Sequence, residues 1–444
     1  MFAPLARQLR WFARAETSMA ALANTFGSRI AFFAVSLGTG VLVARTLAPA
    51  GRGAQAAIVL WPSLVCALAT LGVPTALRYY LRRTPERERE LFSSALVLSL
   101  ALGTVAAAVG ALVIPHFLAR YPPEVVHFAQ AAMLFSVPLM LSYSLQGFLE
   151  ARGLFAKANS IYVLPSLATL SLLACLLVAR RLTPYTSAIA YLLPAVALPM
   201  WWLWKVRAYV EFPVRGFAAT ARRLLSYGTR AYGLDVLLKL TYQIDQTFVI
   251  TFLGAKELGL YVVAVSVARS LNVVGSSLFI VLLPKASGLE PAHAVELVGR
   301  ATRVTLALAL AAAGFIALAL PLVLPLLYGR AFDPSIRIAQ IVLLDTALLD
   351  TSGILMQAFL STGRPAVVTV MQAAALLTAL PLLAALVPRL GVLGAALALL
   401  TSTFVRFGFL LTCFPLVLRR RPPGLILTRA DVNFVMARIG ERSR

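Results

Sequence analysis

The chain has 444 residues, 60% of them hydrophobic and only 13% charged, with a formal net charge of +23 and a mean hydropathy of +0.86. A soluble protein of this size needs about twice that charged fraction to cover its surface, so the composition excludes a soluble enzyme, a disulfide scaffold and a disordered chain. The apolar stretches are nearly free of charge, which predicts an all-α polytopic membrane protein.

A helix must carry about 20 apolar residues to cross a hydrocarbon core of about 30 Å. Taken in chain order, such stretches fall near 18–44, 54–81, 91–114, 125–149, 158–179 and 184–204. A second set follows near 225–252, 259–283, 302–327, 336–360, 366–387 and 391–418. The prediction is twelve transmembrane helices. Short loops with turn residues separate them, such as Leu47–Gly53, Pro122-Pro123, Gly254–Gly259 and Gly363-Arg-Pro365. The least sharply bounded joins are Pro115–Glu124 and His293–Arg303. Pro62, Pro74, Pro138, Pro165, Pro194 and Pro199 fall inside spans, where neighbouring groups can satisfy the freed carbonyls.

Lysine and arginine set the expected orientation. With the N-terminus cytoplasmic, 27 of the 40 fall on the cytoplasmic side and nine on the other. Both termini are therefore expected inside, in a multi-pass cytoplasmic (inner) membrane protein. The sequence predicts no cleavable signal peptide. Residues 1–17 read as a basic surface segment, with Arg7, Arg10 and Arg14 among Leu5, Leu9, Trp11 and Phe12. Residues 419–444 form a basic tail. Both suit attraction to anionic lipid better than nucleic-acid binding. Trp201, Trp202 and Trp204 read as an interfacial belt. Cys66, Cys175 and Cys413 stand singly, and no histidine spacing suits a metal, so no metal, cofactor or catalytic group is expected.

The sequence repeats itself. Leu47-Ala-Pro-Ala-Gly-Arg-Gly53 aligns with Leu253-Gly-Ala-Lys-Glu-Leu-Gly259, each joining the first and second helices of a six-helix set. Gln146-Gly-Phe-Leu149 aligns with Gln357-Ala-Phe-Leu360 at the end of each fourth helix. An even number of helices per repeat inserts both halves the same way up. The expectation is two six-helix lobes, 18–214 and 215–418, related by a pseudo-twofold along the membrane normal. Such lobes can open a cleft to either side in turn. There is no P-loop, so work against a gradient would come from an ion or from consumption of the product.

Four cations, Arg29, Lys239, Arg269 and Arg406, lie inside spans together with Asp235, Asp245, Asp345 and Asp350. At roughly 2.5–3.5 kcal/mol each, these groups cannot all face lipid. They must pair or border water. Asp235 and Lys239 stand one turn apart in the order that favours a local ion pair. Asp345 and Asp350 are five apart, about 140° around the helix axis. Any of the four acids could take part in ion coupling. Arg29 and Arg269 lack an acid within a turn on their own helices, and Arg78 closes the second helix beside Tyr79 and Tyr80. A guanidinium stays charged and can bind phosphate oxygens bidentately. Arg29, Arg269, Arg78 and Arg406 are therefore candidate contacts for an anionic substrate. The alternative is pairing across helices, as Arg269 with Asp245 or Arg406 with Asp350.

Over residues 18–418 the chain resembles the oligosaccharide-lipid flippases of the multidrug/oligosaccharidyl-lipid/polysaccharide exporter superfamily. The resemblance is carried by the repeated turn at Leu47–Gly53 and Leu253–Tyr261, by Asp245-Gln-Thr-Phe-Val-Ile250, by Leu326-Leu-Tyr-Gly-Arg-Ala-Phe332, and by Gln146 and Gln357. It implies transport of a polyprenyl-diphosphate-linked oligosaccharide to the outer leaflet, with Arg29 and Arg269 matching cationic-cavity arginines and Arg78 a further candidate. Twelve helices, where the peptidoglycan-precursor branch has fourteen, favour O-antigen, capsule or exopolysaccharide repeat units. The implied partners are the lipid-linked oligosaccharide, membrane lipids and polysaccharide assembly proteins, with the transporter acting as a monomer. The rival readings are an ion-coupled drug exporter on the same scaffold and a membrane polymerase or ligase. The second lacks a long catalytic outer loop.

Overall fold

The computed structural model describes residues 18–212, 216–272, 291–428 and 431; the side chains of 18–31, 234, 235, 291, 292 and 294 lie outside the description. Among the described residues the secondary structure is helical throughout, in twelve helices that follow the expected spans. The run Ser18–Ala69 is two helices, α1 (18–47) and α2, which meet at Ala48 with φ 55°. Pro49 follows the break. Its fixed φ starts a helix readily, and the amide it lacks is one a first turn leaves unpaired anyway. Helix α2 (49–83) is interrupted at 70–72, where Leu71 and Gly72 take positive φ, and resumes as Val73–Arg83.

Then come α3 (Glu88–Phe117), α4 (123–151, with a tight turn at Met133–Phe135), α5 (Phe155–Val178) and α6 (Pro184–Lys205). A capping box formed by Thr183 and Thr186 starts α6. The second set is α7 (Phe217–Phe252), α8 (255–271), α9 (Pro291–Tyr328), α10 (Ser335–Ser361), α11 (365–390) and α12 (392–418). The last two are one run broken at Gly391, φ 61°. Helix α9 begins well before the expected 302, so His293–Arg303 is its opening turns and not a loop.

Among the described residues, eight helical runs are long and apolar enough to cross a membrane, and two of these hold a pair of helices across a kink. Helix α7 carries Arg222, Arg223, Arg230, Lys239 and Asp245 along its length. Large apolar side chains are bare where a soluble protein would bury them. Leu112 on α3 and Leu318 on α9, at corresponding places in the two sets, are 80% and 85% exposed. That inside-out pattern is what lipid contact requires.

By packing, the chain forms two units. The first comprises Met1–Gln243 with Ile250–Gly259, and the second Ile244–Val249 with Leu260–Arg444. Helices α7 and α8 thus contribute to both. The internal repeat recurs as matched contacts. In the first unit the Gln130 side chain of α4 donates to the Ala111 carbonyl of α3 at 2.8 Å. In the second, Gln340 of α10 donates to the Ala317 carbonyl of α9 at 3.1 Å.

The repeated turn shows the same correspondence. A Cβ on Gly53 would overlap the Ala255 carbonyl, and one on Gly259 would overlap the Pro49 carbonyl. Gly53 pairs with Gly259 in the repeat, and Pro49 with Ala255, so the contact is reciprocal. Glycine is required at both positions because the starts of α2 and α8 touch backbone to backbone. Gly72 and Gly228 permit a second such approach within the first unit, between α2 and α7.

Candidate functional site

Five of the eight ionisable residues expected inside the spans, Asp245, Arg269, Asp345, Asp350 and Arg406, belong to the second unit. Asp245, near the end of α7, is fully buried. The Tyr261 hydroxyl of α8 donates to its Oδ2 at 2.8 Å. Two turns further along α8, the Arg269 Nη2 stands 4.0 Å from the same oxygen, with about a third of the Arg269 side chain exposed. Arg269 thus pairs loosely with the acid that the sequence offered as an alternative to substrate.

Asp345 on α10 is also buried, hydrogen-bonded to Thr403 and within the field of Arg406. Arg406 on α12 is 2% exposed. Its Nη1 donates to Gln372 of α11 and its Nη2 to Thr403, both at 3.3 Å. The electrostatic partner of Arg406 is Asp345, where the sequence had suggested Asp350. Asp350 lies half-buried and feels the charge of Asp345. Five helices, α7, α8, α10, α11 and α12, therefore bring two arginines and three carboxylates into one unit. A guanidinium and carboxylate buried together are costly to desolvate unless hydrogen bonds complete the pair. Tyr261, Thr403 and Gln372 supply some of these, while Asp245 Oδ1, Asp345 Oδ1 and Arg406 Nε are buried without a hydrogen-bond partner among the described residues.

The first unit holds a different arrangement. Arg78 at the end of α2 binds Glu150 of α4, Nη1 to Oε2 at 2.5 Å, and its Nη2 donates to Thr75 at 2.9 Å. Gln146, one turn earlier on α4, donates to the other Glu150 oxygen at 2.6 Å and accepts from the Tyr162 hydroxyl of α5. Arg78, a candidate substrate contact, is thus held by a carboxylate 72 residues away. Beside this chain of bonds lies a cavity of about 270 Å³ between α1, α4, α5 and α6. Lys239 places its ammonium 5.4 Å from the centre of the Tyr143 ring in that wall.

The remaining sequence candidates are Arg29 and Asp235. Their backbones belong to α1 and α7, and their side chains lie outside the described residues. Sequence reasoning missed Glu150, Tyr261, Gln372 and Thr403. Only Tyr261 had a signal, as the last residue of the second repeated turn. The described residues contain no cluster able to hold a metal ion.

One tail contact was also unforeseen. Arg303, early in α9, forms a bidentate pair with Asp431, at 2.6 and 2.7 Å. Asp431 also accepts from the Thr428 amide and hydroxyl. The Arg303 guanidinium and these hydrogen bonds hold the Asp431 carboxyl well below the usual carboxylate range.

Three comparisons bear on this architecture. The polysaccharide biosynthesis protein family matches over residues 42–337. No curated protein matches the chain in sequence. Among solved structures, the lipid II flippase MurJ in an inward closed conformation superposes with a TM-score of 0.72 at 15% identity, covering 91% of this chain and 88% of that one. An inward-facing multidrug resistance MATE family transporter of the MOP superfamily gives 0.67 at 16% identity, covering 85% of this chain and 92% of that one. A MOP superfamily transporter from Pyrococcus furiosus, described by the reversed polarity of its binding pocket, gives 0.56 at 17% identity, covering 88% and 94%. At these identities the likeness establishes the fold, a two-lobed transporter architecture in a multi-pass membrane protein. With the family matched over two thirds of its length, the chain belongs to the polysaccharide biosynthesis protein family and carries the fold of the MOP superfamily flippases and transporters.

Proposed function

We propose that the protein is a flippase that carries a polyprenyl-diphosphate-linked oligosaccharide from the cytoplasmic to the outer leaflet of the inner membrane by alternating access. The observation that carries this reading is the match of residues 42–337 to a polysaccharide biosynthesis family. A diphosphate bearing several sugars cannot cross hydrocarbon unaided, because each unsatisfied polar group costs several kcal/mol there. In this reading a basic, solvated cavity bordered by arginines replaces that hydration. Arg269, tethered by Asp245 yet a third exposed, holds the diphosphate together with Arg29. Arg78 and Arg406 are held by Glu150 and by Gln372 and Thr403, and act through those contacts. The lipid tail stays in the bilayer.

In this reading both termini are cytoplasmic. The protein works as a monomer, delivering to polysaccharide assembly proteins, and binds no nucleic acid. Ion coupling falls to Asp245, Asp350, Asp345 or Asp235. The test is a host lacking its own flippase, complemented with Arg269→Ala or Arg29→Ala. Surface polysaccharide should be lost while the variant remains in the membrane at normal level; wild-type polysaccharide with both variants would remove these arginines from the mechanism.

A second reading has an observation of its own. The buried carboxylates Asp245 and Asp345 suit an ion-coupled small-molecule or drug exporter, and a structure of the same fold is that of a multidrug resistance MATE family transporter. Drug resistance on overexpression, unaffected by Arg269→Ala, would select it.

A further inference from the structure

The cavity in the first unit lies apart from the charged cluster, and its wall has a consistent chemistry. Nine of the fifteen residues that line it carry a hydroxyl or an amide, and none carries a charge. Four of the eight hydroxyls in the wall donate within the protein. Thr39 donates to the Ser36 carbonyl at 2.9 Å, Ser142 to Pro138 at 2.8 Å and Ser166 to Val163 at 2.8 Å. Tyr162 donates to Gln146, whose amide in turn donates to Glu150. Each donating hydroxyl keeps its oxygen lone pairs as acceptors.

Two prolines add backbone acceptors. Pro165 in α5 and Pro199 in α6 have no amide hydrogen, so the carbonyls of Ile161 and Ala195, four residues earlier, lose their helical donor. Ile161 and Ala195 both line the cavity. Aromatic surface completes it, with Phe32, Tyr143, Tyr162 and Tyr191 contributed by four different helices. The wall therefore offers many acceptors, the hydroxyl donors of Ser36, Tyr143, Thr169 and Tyr191, and flat apolar faces.

The complementary ligand is uncharged, bears several O–H donors and has an apolar face of its own. The geometry points to a saccharide-binding subsite between α1, α4, α5 and α6, which receives one neutral sugar ring. A volume of about 270 Å³ suits a single ring and not a whole repeat unit. An organic cation is the competing occupant, since acceptors and aromatic faces also suit ammonium groups. It is disfavoured because no carboxylate lines the wall among the described residues, while the Lys239 ammonium already sits by the Tyr143 ring.

The inference rests on the proposed function only in taking the cargo to carry sugars, and its test needs no transport. Ser166→Cys and, separately, Thr169→Cys are placed in the full-length chain with Cys66, Cys175 and Cys413 replaced by alanine. The purified proteins are labelled with a small water-soluble maleimide. Methyl glycosides of glucose, galactose and N-acetylglucosamine, each at high millimolar concentration, should slow labelling at both positions several-fold for at least one sugar, and tetraethylammonium should not. Loss of that protection in Ser142→Leu, which fills the wall and removes an acceptor, is also expected. Labelling that no glycoside slows, or that tetraethylammonium slows instead, overturns the subsite, as does failure of both cysteines to label in folded protein. Failure of the flippase reading shows separately, as polysaccharide export indifferent to Arg269→Ala.

Discussion

The two units carry the same repeat but have been given opposite interiors. In the first, the residues that line the cavity are uncharged, and the nearest charges are the Lys239 ammonium beside the Tyr143 ring and the Arg78–Glu150 pair joined to Gln146. In the second, Asp245, Asp345 and Arg406 are buried among Tyr261, Gln372 and Thr403. The paired glutamines show the divergence at a single position. Gln146 links Tyr162 to Glu150, whereas Gln357 is fully buried and both of its amide atoms lack a hydrogen-bond partner. Helical packing is thus conserved between repeats while interior chemistry is free to differ, because backbone contacts constrain size and leave polarity open.

The comparison can be broken most severely where the repeats are the same. Gly53→Val and Gly259→Val each place a branched side chain against a carbonyl oxygen, so each should cost at least the about 1–3 kcal/mol typical of over-packing. The reciprocal geometry requires similar losses of melting temperature in the two variants. Gly38→Ala, with nothing within 4 Å of its added Cβ, should be neutral or slightly stabilising.

Next in size are changes to the charged interior. Tyr261→Phe removes a hydrogen bond to a carboxylate and should cost about 1.5–3 kcal/mol. Arg269→Ala should destabilise by about 1–3 kcal/mol, less than a tight buried pair, because the separation is 4.0 Å and the side chain is partly exposed. Adding Asp245→Asn to it should recover part of that loss, a coupling that a double-mutant thermal-melt cycle reads directly. Additive losses would mean the two groups act independently.

The neutral unit should be more forgiving. Arg78 and Glu150 are both partly solvated, so Glu150→Gln should shift stability by only about 0.2–1 kcal/mol. A larger shift would mean that the Gln146–Tyr162 bonds depend on that carboxylate.

The smallest effect is at the tail. Asp431 is held below the usual carboxylate range, so its contribution is fully present above the ordinary carboxylate value of about 4 and is lost as pH falls below it. Arg303→Gln should abolish that acid dependence. Protease cleavage of the tail after Thr428, followed between neutral pH and pH 3, checks both statements.

Much of this was legible in the residues. Twelve spans followed from runs of apolar side chains, since a bilayer imposes length and polarity on every crossing segment. The turn at Leu47–Gly53 followed from proline and glycine chemistry, and the repeated turns marked Gly53 and Gly259 as equivalent, whereas the break at Leu71-Gly72 falls inside the expected continuous span 54–81. The start of α9 was misjudged because Arg300 and Arg303 interrupt the apolar pattern, while the backbone remains helical from Pro291. In the site, Asp245 with Arg269 was one of two offered pairings. Arg406 with Asp345 was not, because angular spacing along one helix says nothing about which neighbour faces it.

What the sequence determined alone was therefore the membrane character, the helix count and the internal duplication, all properties of local composition and chain order. The tertiary structure decided which charges meet. Glu150 lies 72 residues from Arg78, and Tyr261 reaches Asp245 from the next helix. It also decided that the two turn glycines touch, and that uncharged side chains from four helices meet around one cavity in the first unit. Each of these depends on which helix faces meet, and that is fixed by packing between segments distant in sequence.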